Sequence, residues 1–204
     1  MGRTRTFDVN EALEAALGVF WRKGYEGASY ADLVVATGVE RPALYSAFGN
    51  KETLFLRALE RYASNYANYV PAAIERSTAR DVAEGVLFGA VELSTRFSDR
   101  TGCLGVNGAL AGSDEAEQAR AALIAWRADG EAALRRRFER ARSEGDLPAN
   151  SDCATLAAYV LAVAHGIAVQ AKAGFAVDTL MAVARQALEG WPRSGNTLVA
   201  EQRL

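Results

Sequence analysis

Tyr45 and Lys51, within "RPALYSAFGNK", put a phenolic hydroxyl one helical stretch away from an ammonium at a helix start. Both groups suit a phosphate oxygen. The hydroxyl donates a hydrogen bond, and the lysine adds charge where free helix amides already favour an anion. On a helix at about 100° per residue, Leu44, Ala47 and Phe48 fall on one side. Pro42, Ala43, Tyr45 and Ser46 fall across the others. Ala43 and Ser46 are small, so the outer face is slim enough for the ~12 Å major groove of DNA.

Short elements must hold these residues in place. "SYADLVVATG" begins with Ser29, a capping residue, and ends at Gly38, where a left-handed glycine closes a helix. After Val39 and Glu40, "RPALYSAF" starts with Pro42 in a first turn that has no amide bond to lose. A helix, a tight turn with glycine and a second short helix make a helix-turn-helix. Before it, "DVNEALEAALGVFWRKG" places Leu13, Leu17, Phe20 and Trp21 on one stripe and stops at Gly24. After it, Asn50 caps "KETLFLRALERYASNYANYV", a helix predicted to run to Pro71. Further helical periodicity covers "DVAEGVLFGAVELSTRF", the glycine-rich "CLGVNGALAG", the stretch from Ser113 to Gly145, "SDCATLAAYVLAVAHGIAVQAKAG" and "DTLMAVARQALEGW". No strand-length alternation occurs, so the fold class is all-α. The expected division is a helix-turn-helix domain over residues 1–66 and a second helical domain over 67–204.

The stretch "ALGVFWRKGYEGASYADLVVATGVERPALYSAFGNKETLF" resembles the DNA-binding domain of the tetracycline-repressor (TetR) family of bacterial transcriptional regulators. The shared order is a helix, a glycine–aromatic–glycine bend, a helix, the "TGV" turn, "LYxxF" and a helix-starting "xKExL". The resemblance implies that Arg41, Pro42, Ala43, Tyr45 and Ser46 face the groove, and that Ser29 and Lys51 anchor phosphates. Two positions depart from it. Glu40 stands where a serine or threonine cap is usual, and Ala47 where a histidine is common.

Charge alone does not announce a nucleic-acid binder. The chain has 204 residues and a net charge of −2. Up to Tyr62, Arg3, Arg5, Arg22, Lys23, Arg41, Lys51, Arg57 and Arg61 are matched in number by Asp8, Glu11, Glu14, Glu26, Asp32, Glu40, Glu52 and Glu60. Binding then depends on where the charges sit. Arg3 and Arg5 suit a flexible arm along the DNA or an unstructured start. The two cysteines, Cys103 and Cys153, lack metal-ligand spacing, and His165 is the one histidine, so neither a metal site nor a cofactor is expected. No glycine-rich phosphate loop, GxSxG or histidine pair is present, which argues against an enzyme. The N-terminus carries no signal-peptide pattern, and a reducing cytoplasm fits the cysteine usage. "ATLAAYVLAVAHGIAVQAKAG" is broken by His165, Gly166 and Gln170 and reads as a buried helix rather than a membrane span.

A single short reading helix on a neutral domain binds weakly, and doubling it in a homodimer solves this. The alanine-rich helix around His165 has apolar residues on most faces and must be covered on nearly all sides. The last helix adds Leu180, Val183, Ala184 and Leu188. The resemblance implies that these two helices form a four-helix bundle with their copies, and that "GCLGVNGAL", "HGIAVQAKAG" and "ALEGWP" belong to the second domain of one subgroup. It also implies an inducer pocket, for which Phe88, Phe97, Cys103, Asn107, Trp126, Tyr159 and His165 are candidate lining residues; for most of them plain core packing is the favoured reading, and for Cys103 a small buried cysteine. The expected function is a repressor that binds a palindromic double-stranded operator and is released by an unknown small-molecule effector. The alternatives are an architectural DNA-binding dimer with no effector, and a redox-responsive regulator in which Cys103, at a helix start, has a lowered pKa. The "RRRFERAR" run is expected to be a solvated face.

Overall fold

The computed structural model describes residues 7–97, 99, 102–107 and 116–193, and each regular element among them is a helix. Arg3 and Arg5, expected as a DNA-following arm, lie outside the described residues. The chain forms two compact units. The first comprises 1–68 and 101–127, the second 69–100 and 128–204. The chain first crosses from one unit to the other between residues 68 and 69. The second unit is not a continuous stretch, because residues 101–127 return to the first.

In the first unit, α1 (Val9–Gly27) is capped by Asp8, whose carboxylate accepts from the amides of Asn10 at 2.6 Å and Glu11 at 3.2 Å. Its regular part ends at Gly24, whose φ of 71° suits glycine. A side chain there would also press on the Asn107 carbonyl, 3.3 Å from an added Cβ. Ala16, Leu17, Phe20 and Trp21 are buried. They face α4 (Lys51–Asn65), where Phe55 meets Phe20 edge-on at 5.1 Å and Tyr62 meets Trp21 at 4.7 Å. Two short helices lie between them, α2 (Tyr30–Thr37) and α3 (Arg41–Phe48). Leu33, Leu44 and Phe48 are their buried anchors. The returning segment brings α7 (Leu104–Asn107) and the start of α8 (Glu117–Ser143). Trp21 donates its indole N–H to the Gly102 carbonyl at 2.9 Å, and the Asn107 amide donates to the Trp21 carbonyl at 2.9 Å.

The fourth helix does not run to Pro71. It ends at Asn65, Tyr66 leaves helical geometry, and a separate α5 (Tyr69–Ile74) follows. Pro71 sits in the first turn of α5, where its missing amide costs nothing, so it belongs to a helix start rather than a stop.

The second unit packs α5, α6 (Ala79–Thr95), the later part of α8, α9 (Cys153–Lys172) and α10 (Val177–Glu189) around one core. Val82, Val86, Phe138, Val160, Ala164, Ile167, Leu180 and Leu188 belong to that core. α9 is long and apolar enough to cross a membrane, yet one of its faces is spent on this core. One expectation fails in α8. Arg137, from the run assigned to a solvated face, is only 4% exposed. Its guanidinium donates to the carbonyls of Ile74 at 3.0 Å, Arg76 at 2.8 Å and Ser77 at 2.9 Å, which satisfies the open C-terminal end of α5. Its neighbours do behave as expected, with Arg135–Glu139 and Arg140–Glu144 paired one turn apart on the outside.

Candidate nucleic-acid interface

α3 is fixed from below and open above. Leu44 and Phe48 are buried, whereas Arg41, Pro42, Tyr45 and Ser46 are exposed and Ala43 is half-buried. The turn before α3 is held locally. Gly38 adopts φ 65°, and Thr37 accepts from the Val39 amide at 3.1 Å while donating to Leu33. Glu40, which occupies the cap position of α3, makes no side-chain cap bond, so the start of α3 rests on Pro42 and backbone bonds alone. Asn50 caps α4 by accepting from the Thr53 amide at 2.8 Å, which leaves Lys51 as its first residue.

The exposed residues of α3 are tied into a stack that includes a residue the sequence did not single out. Tyr30, the first residue of α2, lies parallel to Tyr45, with ring centroids 5.3 Å apart and planes 24° apart. The Arg41 guanidinium sits over the Tyr30 ring at 4.0 Å and donates to the Tyr45 hydroxyl at 3.3 Å. The Tyr30 hydroxyl in turn accepts from the Lys51 amide at 3.0 Å. Tyr45 is held below the usual phenol value, first by the Arg41 hydrogen bond and then by that of Tyr30. Burial and its own bond to Tyr45 raise Tyr30. The Lys51 ammonium rests 4.5 Å from the centre of the Tyr25 ring, and Arg57 lies 5.8 Å from that of Phe48. Three cations, Arg41, Lys51 and Arg57, are thus gathered on aromatic rings around α3 and the start of α4. The signal for Tyr30 was present: an aromatic next to a cap, off the apolar side of its helix. Nothing in the sequence, however, told that it meets Tyr45.

Ser29 stands apart from this group. Its hydroxyl donates to the Asp32 carboxylate at 2.8 Å and accepts from the Asp32 amide at 3.1 Å. Its own amide donates to the same carboxylate at 3.0 Å. Both donors of Ser29 are consumed in a capping box, beside a carboxylate that disfavours phosphate. Lys23, bonded to Asp32 at 2.7 Å, and these Ser29 bonds hold that carboxyl at about 2.

The seven candidate effector contacts are not gathered in one unit. Cys103, Asn107 and Trp126 belong to the first, and Phe88, Phe97, Tyr159 and His165 to the second. Asn107 has its amide committed to Trp21, and Trp126 packs on Tyr62 at 5.9 Å. Phe88 is half-buried against the second core, Phe97 is 38% exposed, and His165 is half-buried on α9. Tyr159 is 43% exposed and donates to the Ala187 carbonyl at 3.2 Å. Cys103 lacks the lowered pKa that the redox alternative requires. It is buried, and desolvation pushes the thiol up, which outweighs the hydrogen bond from Tyr62 at 3.2 Å and the weak field of a one-turn helix.

The family model for bacterial regulatory proteins of the tetR family matches residues 12–58, and the tetracyclin repressor-like C-terminal domain matches 87–188. The chain is 32% identical to the HTH-type transcriptional repressor ComR of Escherichia coli K12 over 94% of its own length and 92% of that protein. It is 29% identical to the HTH-type transcriptional repressor BdcR of the same organism, over 92% and 91%. Among solved structures, a cysteine mutant of the TetR family transcriptional regulator CifR, complexed with 26 bp double-strand operator DNA, superposes with a TM-score of 0.88 at 40% identity, covering 94% of this chain and all 100% of that one.

Proposed function

This chain belongs to the tetR family of bacterial regulatory proteins, and we propose that it is a repressor released from a palindromic operator by a small molecule. It is a DNA-binding transcriptional regulator. α3 enters the major groove with Pro42, Ala43 and Ser46 towards the bases, while Arg41, Tyr45 and Lys51 hold the backbone on either side. The observation that carries this reading is the exposed, slim face of α3 beside three cations held on rings. A domain of neutral net charge reaches phosphate by concentrating cations there rather than by an overall field. Ser29 plays no part in phosphate contact, since its donors serve Asp32.

The test uses duplexes selected from a random-sequence pool. Tyr45→Phe weakens binding several-fold without lowering the melting temperature, because one phosphate hydrogen bond is lost. Lys51→Ala reduces the slope of log affinity against log salt by about one unit per subunit. Unchanged affinity and slope in both variants remove α3 and the α4 start from the interface.

The functional unit is a homodimer. α9 carries Ala158, Ala162 and Gly166 at helical spacing on an exposed face, with Tyr159 43% and Val169 53% exposed beside them. α10 adds Val177 at 43% and Val183 at 47%. A small-residue, apolar helix face left in water suits close approach of another helix. The relatives are transcriptional regulators. The effector binds from the second family region, and the place of action is the cytoplasm.

A further inference from the structure

Arg41 is the first residue of α3, an end where the field of the helix favours an anion over a cation. It is exposed, and its contacts among the described residues are aromatic rather than acidic. The guanidinium carbon lies 4.0 Å from the centre of the Tyr30 ring and 5.4 Å from that of Tyr45. One of the five guanidinium N–H donors goes to the Tyr45 hydroxyl at 3.3 Å. Tyr30 is itself held at three points. Its backbone opens α2 directly after the Ser29–Asp32 capping box. Its ring stacks on that of Tyr45, 5.3 Å away and 24° from parallel. Its hydroxyl accepts from the amide of Lys51, the first residue of α4, at 3.0 Å. The ring is therefore a fixed surface where the starts of α2, α3 and α4 meet.

We propose that Tyr30 is a positioning residue for DNA recognition, whose ring holds the Arg41 guanidinium beside the Tyr45 hydroxyl so that the two present their donors to the same phosphate. The inference rests on the reading that α3 faces DNA. An arginine on a free stem loses rotamer freedom when it binds, and one already seated on a ring loses less. A ring also attracts a cation without neutralising it, so the charge stays available to an anion. Lys23 shows the contrast, because its charge is matched by the Asp32 carboxylate at 2.7 Å.

Tyr30→Leu and Tyr30→Met keep an apolar side chain and remove the π face, whereas Tyr30→Phe keeps that face. Ring-current shifts read the contact directly in the DNA-free protein. The Arg41 side-chain protons, assigned through Arg41→Gln, lie upfield in the unaltered chain and in Tyr30→Phe, and move back towards ordinary arginine positions in Tyr30→Leu and Tyr30→Met. Against a selected operator duplex, Tyr30→Leu and Tyr30→Met lower affinity about 3- to 10-fold, the loss expected when a long side chain is no longer held in advance. Tyr30→Phe stays within about 2-fold of the unaltered chain, because the π face remains. Arg41→Gln weakens binding and takes about one unit per subunit off the salt slope. In the Arg41→Gln background, Tyr30→Leu and Tyr30→Met cost nothing further, since the ring acts through Arg41. Losses that persist in that background, the same loss in Tyr30→Phe, or ordinary Arg41 shifts in the unaltered chain overturn the proposal and leave Tyr30 a packing residue of the helix-turn-helix. Full affinity and an unchanged slope in Arg41→Gln overturn it as well. If Tyr45→Phe and Lys51→Ala are then also silent, it is the interface reading that fails.

Discussion

Single residues in the first unit do two kinds of work, and hydrogen-bond accounting separates them. Asp32 closes the cap of α2 and anchors Lys23, which holds its carboxyl at about 2. In the unfolded chain the same group titrates near ~3.9. A depressed acid stabilises the fold fully above the unfolded value, and that contribution is lost as pH falls from about 4 towards about 2. Thermal melts of the protein and Asp32→Asn should therefore differ at pH 5 and converge as the pH approaches 2. A gap of constant size down to that pH would mean that the shift is not linked to folding. Cys103 gives a second prediction. Buried and raised, its thiol reacts slowly with a disulfide reagent in the native protein at pH 8 and promptly once the chain is denatured. Fast native labelling of Cys103 would restore the redox reading. Ser29 and Cys103 teach the same lesson. Their residue types and positions suggested chemistry, but Asp32, three residues along, takes both donors of Ser29, and burial holds the Cys103 thiol above its ordinary value.

Helices were legible where their signals are local. Caps, the Gly38 turn and the Leu44–Phe48 spacing sufficed to place α2 and α3, since each depends on residues within one or two turns. The break between α4 and α5 was not legible, because Pro71 is equally compatible with ending one helix and starting another. Arg137 was hidden for a different reason. It lies in a run of arginines, and only the path of α5 selects which one is buried. The last helix shows how a correct periodicity can still mislead. Leu180, Ala184 and Leu188 form the buried stripe, while Val183, assigned to the same set, points to the other side. Assembly should follow that division. Val169→Glu and Val183→Glu should yield folded monomers by sedimentation, with operator affinity reduced by orders of magnitude. Leu188→Glu should instead lower the melting temperature sharply, because it buries a charge in the second core. A stable dimer in both valine variants would place the interface elsewhere.

At the scale of the molecule, the coupling between effector and operator is a thermodynamic requirement rather than a path. A ligand releases DNA only if it binds the DNA-incompetent arrangement better, and the factor is shared. Operator DNA should weaken effector binding by the same factor by which effector weakens DNA binding. Titration calorimetry in both directions checks this, and a ligand that binds without changing operator affinity would favour an effector-independent DNA-binding dimer. The fourth helix ends at Asn65, inside the first unit.

The return of residues 101–127 to the first unit has a consequence for biosynthesis. Trp21 and Tyr62 leave the ribosome well before Gly102, Cys103 and Trp126, which they bond or pack against and which follow about 40 to 80 residues later. While the intervening stretch is being made, at ~5–20 residues per second, the nascent helix-turn-helix has its reading helix but lacks the lid over its largest rings. A nascent chain stalled before residue 127 would carry a sticky patch around Trp21 in place of a finished DNA-binding head. The interlaced order of the segments thus ties completion of the helix-turn-helix core to the prior synthesis of residues 69–100 of the second unit.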